Sequence, residues 1–141
     1  MTKDEWIKTY EEKTGDAHKL PEGFKEKYLP DKGYCQYGVD TENGVLYIYE
    51  VCGDGKFWHD VGRLICQEKG LSRIATICTR NLKPYIRLFG GKITEEIVAE
   101  DGTLRLIGTN VDGRKFIAYP AWFDHDKNKY AYYIITEVGE S

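Results

Sequence analysis

Gly53-Asp54-Gly55-Lys56 is the stretch of this chain best suited to chemistry. A glycine-containing turn that leaves a strand and opens a helix aims several free amides at one spot. The helix dipole adds to their attraction for anions. Any protein that holds a pyrophosphate needs this arrangement. Lys56 would add a positive charge, whereas Asp54 would repel a phosphate. The loop is neither G-x-x-x-x-G-K-[ST] nor G-x-G-x-x-G, and Gly-Asp-Gly is also an ordinary turn.

Other chemical groups carry weaker patterns. Cys35, Cys52, Cys66 and Cys78 contain no C-x-x-C pair, the usual mark of a zinc site, so no metal is expected. Four reduced, buried cytosolic thiols are the plain expectation. His59, one turn into the main helix, can be drawn with Cys52 or Cys66 as a nucleophilic pair. Nothing in the spacing demands that pair, and a solvated helix histidine is the plainer expectation. His125 between Asp124 and Asp126 suggests either a metal loop or an exposed turn. His18, before a proline-containing loop, has no pattern around it.

The elements that must position these groups can be read from periodicity. Thr2-Lys3-Asp4-Glu5 is a capping box and starts a helix to about Lys13, stopped by Gly15. Phe24–Tyr28 is a weak strand. Tyr34–Val39 and Val45–Cys52 are strands joined at Asn43-Gly44, a hairpin signal. Val45, Tyr47, Tyr49 and Val51 then share one face. Leu46, Ile48, Glu50 and Cys52 share the other, with Glu50 the one charge. From Lys56 to Lys69 the period turns helical, with Phe57, Val61, Leu64 and Ile65 on one side. Ile74–Cys78 is a strand, and strand–helix–strand favours a parallel crossover over residues 45–78. Asn81 is placed to cap a second short helix that ends at Gly90-Gly91. The remainder is a meander: Ile93–Ala99, Thr103–Gly108, Lys115–Tyr119, an interruption at Pro120, and Lys129–Glu137.

The length of 141 residues fits one domain over 1–141 with a core of its own. The net charge of −3, with both signs mixed, disfavours a general nucleic-acid binder. Met1 leads directly into charged residues, so no secretory leader is expected. No apolar run reaches a membrane span, and a cytoplasmic protein is the expectation.

Thr79-Arg80-Asn81 followed by Leu82 through Ile93 completes a recognisable order. Residues 45–93 resemble the core of the GNAT superfamily of acetyl-CoA-dependent N-acyltransferases, and the chain is similar to GNAT-like proteins of prophages and other mobile elements. The resemblance implies an α+β fold with a mixed, mostly antiparallel sheet and helices on both faces. It implies acetyl-CoA held by Val51, Gly53, Gly55, Lys56, Phe57 and Asn81. It implies a small-molecule or protein amine as acceptor, Glu50 as the base that deprotonates it, and Tyr85 as the acid for the leaving thiolate. The family's loop runs Gln/Arg-x-x-Gly-x-Gly/Ala. With Gly55 as its first glycine, Cys52 and Phe57 stand at the flanking positions.

A second reading stays open beside this one. Tyr is 11 of 141 residues, and many lie in the strands. An exposed aromatic patch marks an interface. The chain then reads as a non-catalytic GNAT-like interaction module or a homodimer.

Overall fold

A computed structural model describes residues 1–138 of the chain. Helix α1 (Lys3–Thr14) opens with the expected capping box: Glu5 N–H donates to Thr2 Oγ1 at 3.2 Å, and Thr2 N–H to Glu5 Oε1 at 2.9 Å. Strands β1 (Lys25–Leu29), β2 (Gly33–Asp40) and β3 (Val45–Gly53) follow as an antiparallel series. Helix α2 (Gly55–Lys69) crosses to β4 (Arg73–Cys78), which runs parallel to β3. Helix α3 (Leu82–Leu88) leads to β5 (Lys92–Val98), β6 (Leu104–Thr109), β7 (Lys115–Asp124) and β8 (Lys129–Glu137).

All eight strands form one sheet in the order β1-β2-β3-β4-β8-β7-β6-β5. The fold is therefore α+β, and every pair except β3–β4 is antiparallel. The last strand inserts beside β4, so the meander hangs from the crossover unit. On one face α2 sets Trp58, Ile65 and Cys66 against Leu46, Ile48 and Ile74. On the same face α3 sets Leu82, Tyr85 and Ile86 against Leu106, Phe116 and Ile134. On the opposite face α1 places Tyr10 on Tyr34 and Cys52. No helix among the described residues is long and apolar enough to cross a membrane.

Two strands depart from their sequence pattern. Tyr37 pairs with Ile48, yet Cys35 pairs with Val51, so β3 spends three steps where β2 spends two. This bulge breaks the expected alternation. Val51 joins Leu46 and Ile48 under α2, while Cys52 packs under α1 and Glu50 bonds Tyr34 there. The expected break at Pro120 is also absent, because β7 runs through it to Asp124. A second register shift, between Pro120 and Trp122, absorbs the proline.

Gly33 and Gly53 face each other where β2 enters and β3 leaves, at φ 92° and 104°. A Cβ on Gly53 would lie 2.2 Å from the Lys32 carbonyl oxygen. Only glycine permits this approach. Gly53→Ala should therefore lower unfolding free energy by at least about 1–3 kcal/mol, the usual cost of such backbone strain, read as a fall in the urea midpoint.

Candidate functional site

The site residues gather where β3 and β4 part. Their parallel pairing runs from Val45–Arg73 to Ile48–Thr76 and ends there. Past this point β4 continues only with β8. The Val51 carbonyl instead accepts a bond from Arg80 Nη2 at 3.1 Å. The Arg80 guanidinium lies 5.8 Å from the Tyr10 ring centre and 5.5 Å from that of Tyr85. Tyr10 comes from α1 on one face and Tyr85 from α3 on the other. The half-buried cation thus sits in the gap of the sheet between two aromatic rings, a favourable environment for a charge partly withdrawn from water.

A small cavity of about 40 Å³ adjoins the gap on the α2 and α3 face. Ile48, Val51, Trp58, Thr76, Tyr85 and Ile86 line it. Tyr85 is buried, and burial pushes its hydroxyl well above the ordinary phenol range. Its ring meets Phe89 edge-on at 4.9 Å.

The α2 N-terminus lies at the end of β3. Asp54 is its N-cap, and the carboxylate accepts from Phe57 N–H at 3.1 Å. That bond holds the Asp54 carboxyl below its usual range, helped by Lys32. Lys32 Nζ stands 3.2 Å from Asp54 and 5.3 Å from the Phe57 ring centre. The Lys32 carbonyl accepts from Trp58 Nε1 at 2.7 Å and, within the backbone, from Asp54 N–H at 3.0 Å. The glycine loop is therefore fastened to the β1–β2 turn by its own capping residue. Lys56 is exposed, and Gly55 is buried against Phe89.

Glu50 is 2 % exposed, with its carboxylate on the α1 face. Tyr34 donates its hydroxyl to Glu50 Oε1 at 3.0 Å, and Lys19 N–H donates to Oε2 at 2.8 Å. His18 Nδ1 lies 3.0 Å from Oε1. The other ring nitrogen is 3.3 Å from Glu26 Oε2. Glu26 also takes Gln36 Nε2 at 2.9 Å and pairs with Lys3. Burial works to raise the Glu26 carboxyl, but these donors outweigh it and hold it below its ordinary value. Burial and the Glu50 charge together drive the Tyr34 hydroxyl far upward. Asp16 anchors the same segment to the other side of the gap, accepting from Lys127 Nζ at 2.6 Å and from Thr79 Oγ1 at 3.3 Å.

The sequence-predicted residues divide accordingly. Val51, Gly53, Gly55, Lys56 and Phe57 lie together along the end of β3 and the start of α2. Glu50 and Tyr85 stand on opposite faces of the sheet. Asn81 occupies the N-cap position of α3 but makes no side-chain cap bond; its Oδ1 lies 3.4 Å from Lys129 Nζ. Arg80, His18 and Tyr34 went unremarked as site residues. One signal pointed to partners such as Tyr34 and His18: a glutamate in an apolar central strand must find donors when buried. Nothing in the spacing picks His18, which lies 32 positions away.

The thiol chemistry closes off. All four cysteines are free and buried. Burial pushes Cys35 up to about 12 and Cys66 and Cys78 up to about 11, and raises Cys52. His59 is lowered by burial against the pull of Asp112, which lies 3.7 Å away. Among the described residues no group of three or more His, Cys, Asp or Glu side chains is disposed to hold a metal ion. Comparison with protein-family models, curated proteins and solved structures finds no match to this chain.

Two outcomes are expected. Glu50→Gln leaves an amide N–H₂ facing donors, so it should cost about 1–3 kcal/mol of stability in urea unfolding. A thiol reagent near neutral pH should label none of the four cysteines in the folded chain and all four after unfolding.

Proposed function

We propose that this chain is a GNAT-like domain that works as a non-catalytic interaction module. The order β3–α2–β4–α3, with β3 and β4 parallel and then diverging, supports the GNAT-like part of this reading. The family's cofactor would be acetyl-CoA, its pyrophosphate on the α2 amides and its pantetheine arm between the diverging strands. The residues present do not fit that group. The carrying observation is the Asp54 carboxylate, which already takes the Phe57 amide that a pyrophosphate oxygen would need. The negative charge of a phosphate beside that carboxylate would be repelled. Arg80 fills the gap and takes the Val51 carbonyl.

One observation favours the other reading, acyl transfer to an amine with Glu50 as base and Tyr85 as acid. It is the cavity of about 40 Å³ beside the divergence, which has room for a small acyl group. Against it, the sheet separates the two residues. Glu50 is also enclosed by Tyr34, His18 and the Lys19 amide rather than open to an amine.

Calorimetry separates the readings. Acetyl-CoA titrated into the folded chain should give no binding heat at millimolar ligand. A dissociation constant in the micromolar range would overturn the proposal. Turnover of an acyl donor that Glu50→Gln abolishes, in a variant shown to be folded, would overturn it too.

A further inference from the structure

The apolar cavity of about 40 Å³ adjoins a polar cleft of about 330 Å³ between α2 and the β6–β7 turn. His59 from α2, Asn110 from the turn and Thr136 from β8 line both spaces and form the throat between them. Gly53, Gly55, Lys56 and Arg80 line neither.

The throat presents unspent donors. Asn110 Oδ1 accepts from Asp112 N–H at 2.9 Å and from Arg114 N–H at 2.8 Å. These two bonds identify the side-chain oxygen and leave the NH₂ group to the throat. Thr136 is buried, and its hydroxyl bonds no other group among the described residues. Arg63, one turn beyond His59 on α2, has a buried Nε that also lacks a partner. A water molecule could satisfy such donors, but it would leave the apolar end unused. Donors set around the mouth of an apolar cavity suit a ligand with an acceptor at one end and carbon at the other.

Charge narrows the class. Arg63 Nη1 lies 3.4 Å from Asp112 and Nη2 lies 3.3 Å from Asp60, so two carboxylates already share this guanidinium. His59 stands 3.7 Å from Asp112, and burial favours its neutral form. Arg114 and Glu137 bring one charge of each sign to the outer cleft. A carboxylate entering the throat would lie beside Asp112 and gain no unshared guanidinium there. A cation would meet donors. An uncharged acceptor fits both constraints. Size narrows it further. One water needs roughly 10–15 Å³ of cavity, so the apolar end takes about three heavy atoms. Ile48, Trp58, Ile86, Phe116 and Ile134 line that end.

We infer that this throat binds a small uncharged amide with a short alkyl chain. The alkyl group enters the apolar end, and the amide carbonyl accepts from Asn110 Nδ2 and the Thr136 hydroxyl. On the outer side Asp112 offers an acceptor for the amide N–H. The inference goes beyond the interaction-module reading and involves no thioester.

The probe is propionamide, titrated into protein with ¹³C-labelled isoleucine methyls and ¹⁵N-labelled side-chain amides. The methyls of Ile48, Ile86 and Ile134 and the Asn110 NH₂ should shift together. They should saturate with a millimolar dissociation constant, as a ligand of about five heavy atoms can reach. Propionate, of the same shape but charged, should bind at least about tenfold more weakly. Asn110→Asp keeps the oxygen that the turn needs and removes the donor, so it should weaken propionamide binding at least about tenfold. Thr136→Val should weaken it about fivefold. No saturable shift up to about 100 millimolar propionamide overturns the inference. So does propionate binding as tightly as propionamide, or a folded Asn110→Asp variant that binds propionamide as the wild type does. Should Asn110→Asp fail to fold, Thr136→Val decides on the same terms. Failure with propionamide leaves the module reading untouched, and acetyl-CoA binding refutes the module reading whatever propionamide does.

Discussion

Everything at the candidate site follows from the parting of β3 and β4 after Ile48 and Thr76. A central strand that loses its neighbour leaves backbone groups in the interior with no ladder partner, and these cannot stay unsatisfied. The chain answers at Val51 with Arg80, whose guanidinium bonds the carbonyl. An arginine brought into a sheet must itself be compensated. The faces of Tyr10 and Tyr85 supply part of that compensation. Tyr10 and Tyr85 in turn draw α1 and α3 against the two sides of the gap. A divergence that leaves room for a ligand between strands is here bridged by the protein's own side chains.

The bulge in β3 has an equally wide effect. One extra residue turns Glu50 away from α2 and buries it beneath the segment that follows α1. A carboxylate there is tolerable only with several donors, and it gains Tyr34, the Lys19 amide and His18. These bonds, with Asp16 on Lys127 and Thr79, fix residues 16–19 across the α1 side of the gap. The same cluster thus orders a connection that has no regular secondary structure and encloses the strongest candidate base. At the α2 N-terminus Asp54 does comparable work, satisfying an orphan amide that an anion would otherwise meet.

Local signals were legible in the sequence. The Thr2–Glu5 capping box, the Asn43-Gly44 hairpin, the helix after Gly53-Asp54 and the parallel crossover each depend on neighbouring residues, and each appears in the structure. The helix's buried side differs from the expected one: Trp58, Gly62, Ile65 and Cys66 face the sheet, and Leu64 is exposed. The features that decide the site are not local. A bulge adds one residue without altering the look of an alternating strand, so Glu50 and Cys52 read as lying with Leu46 and Ile48. Pro120 reads as a stop, yet a register shift lets β7 continue through it. Asn81 has a capping residue's type and position, but its side chain lies near Lys129 instead. The partners of Glu50 come from residues 16 to 32 positions away, beyond the reach of any periodicity.

The two faces of the sheet carry different amounts of meaning. One is closed by α2 and α3 over two apolar clusters that Phe89 touches, and the other is closed by α1 only at its β2–β3 end. If the chain is the interaction module proposed above, Arg80 and Asp54 occupy the places where acetyl-CoA would otherwise be held. Titrating acetyl-CoA into ¹⁵N-labelled protein and following the amides of Gly53, Gly55, Lys56 and Phe57 tests this most directly. The account predicts that these resonances stay in place up to millimolar ligand. Saturable shifts confined to these amides would contradict it.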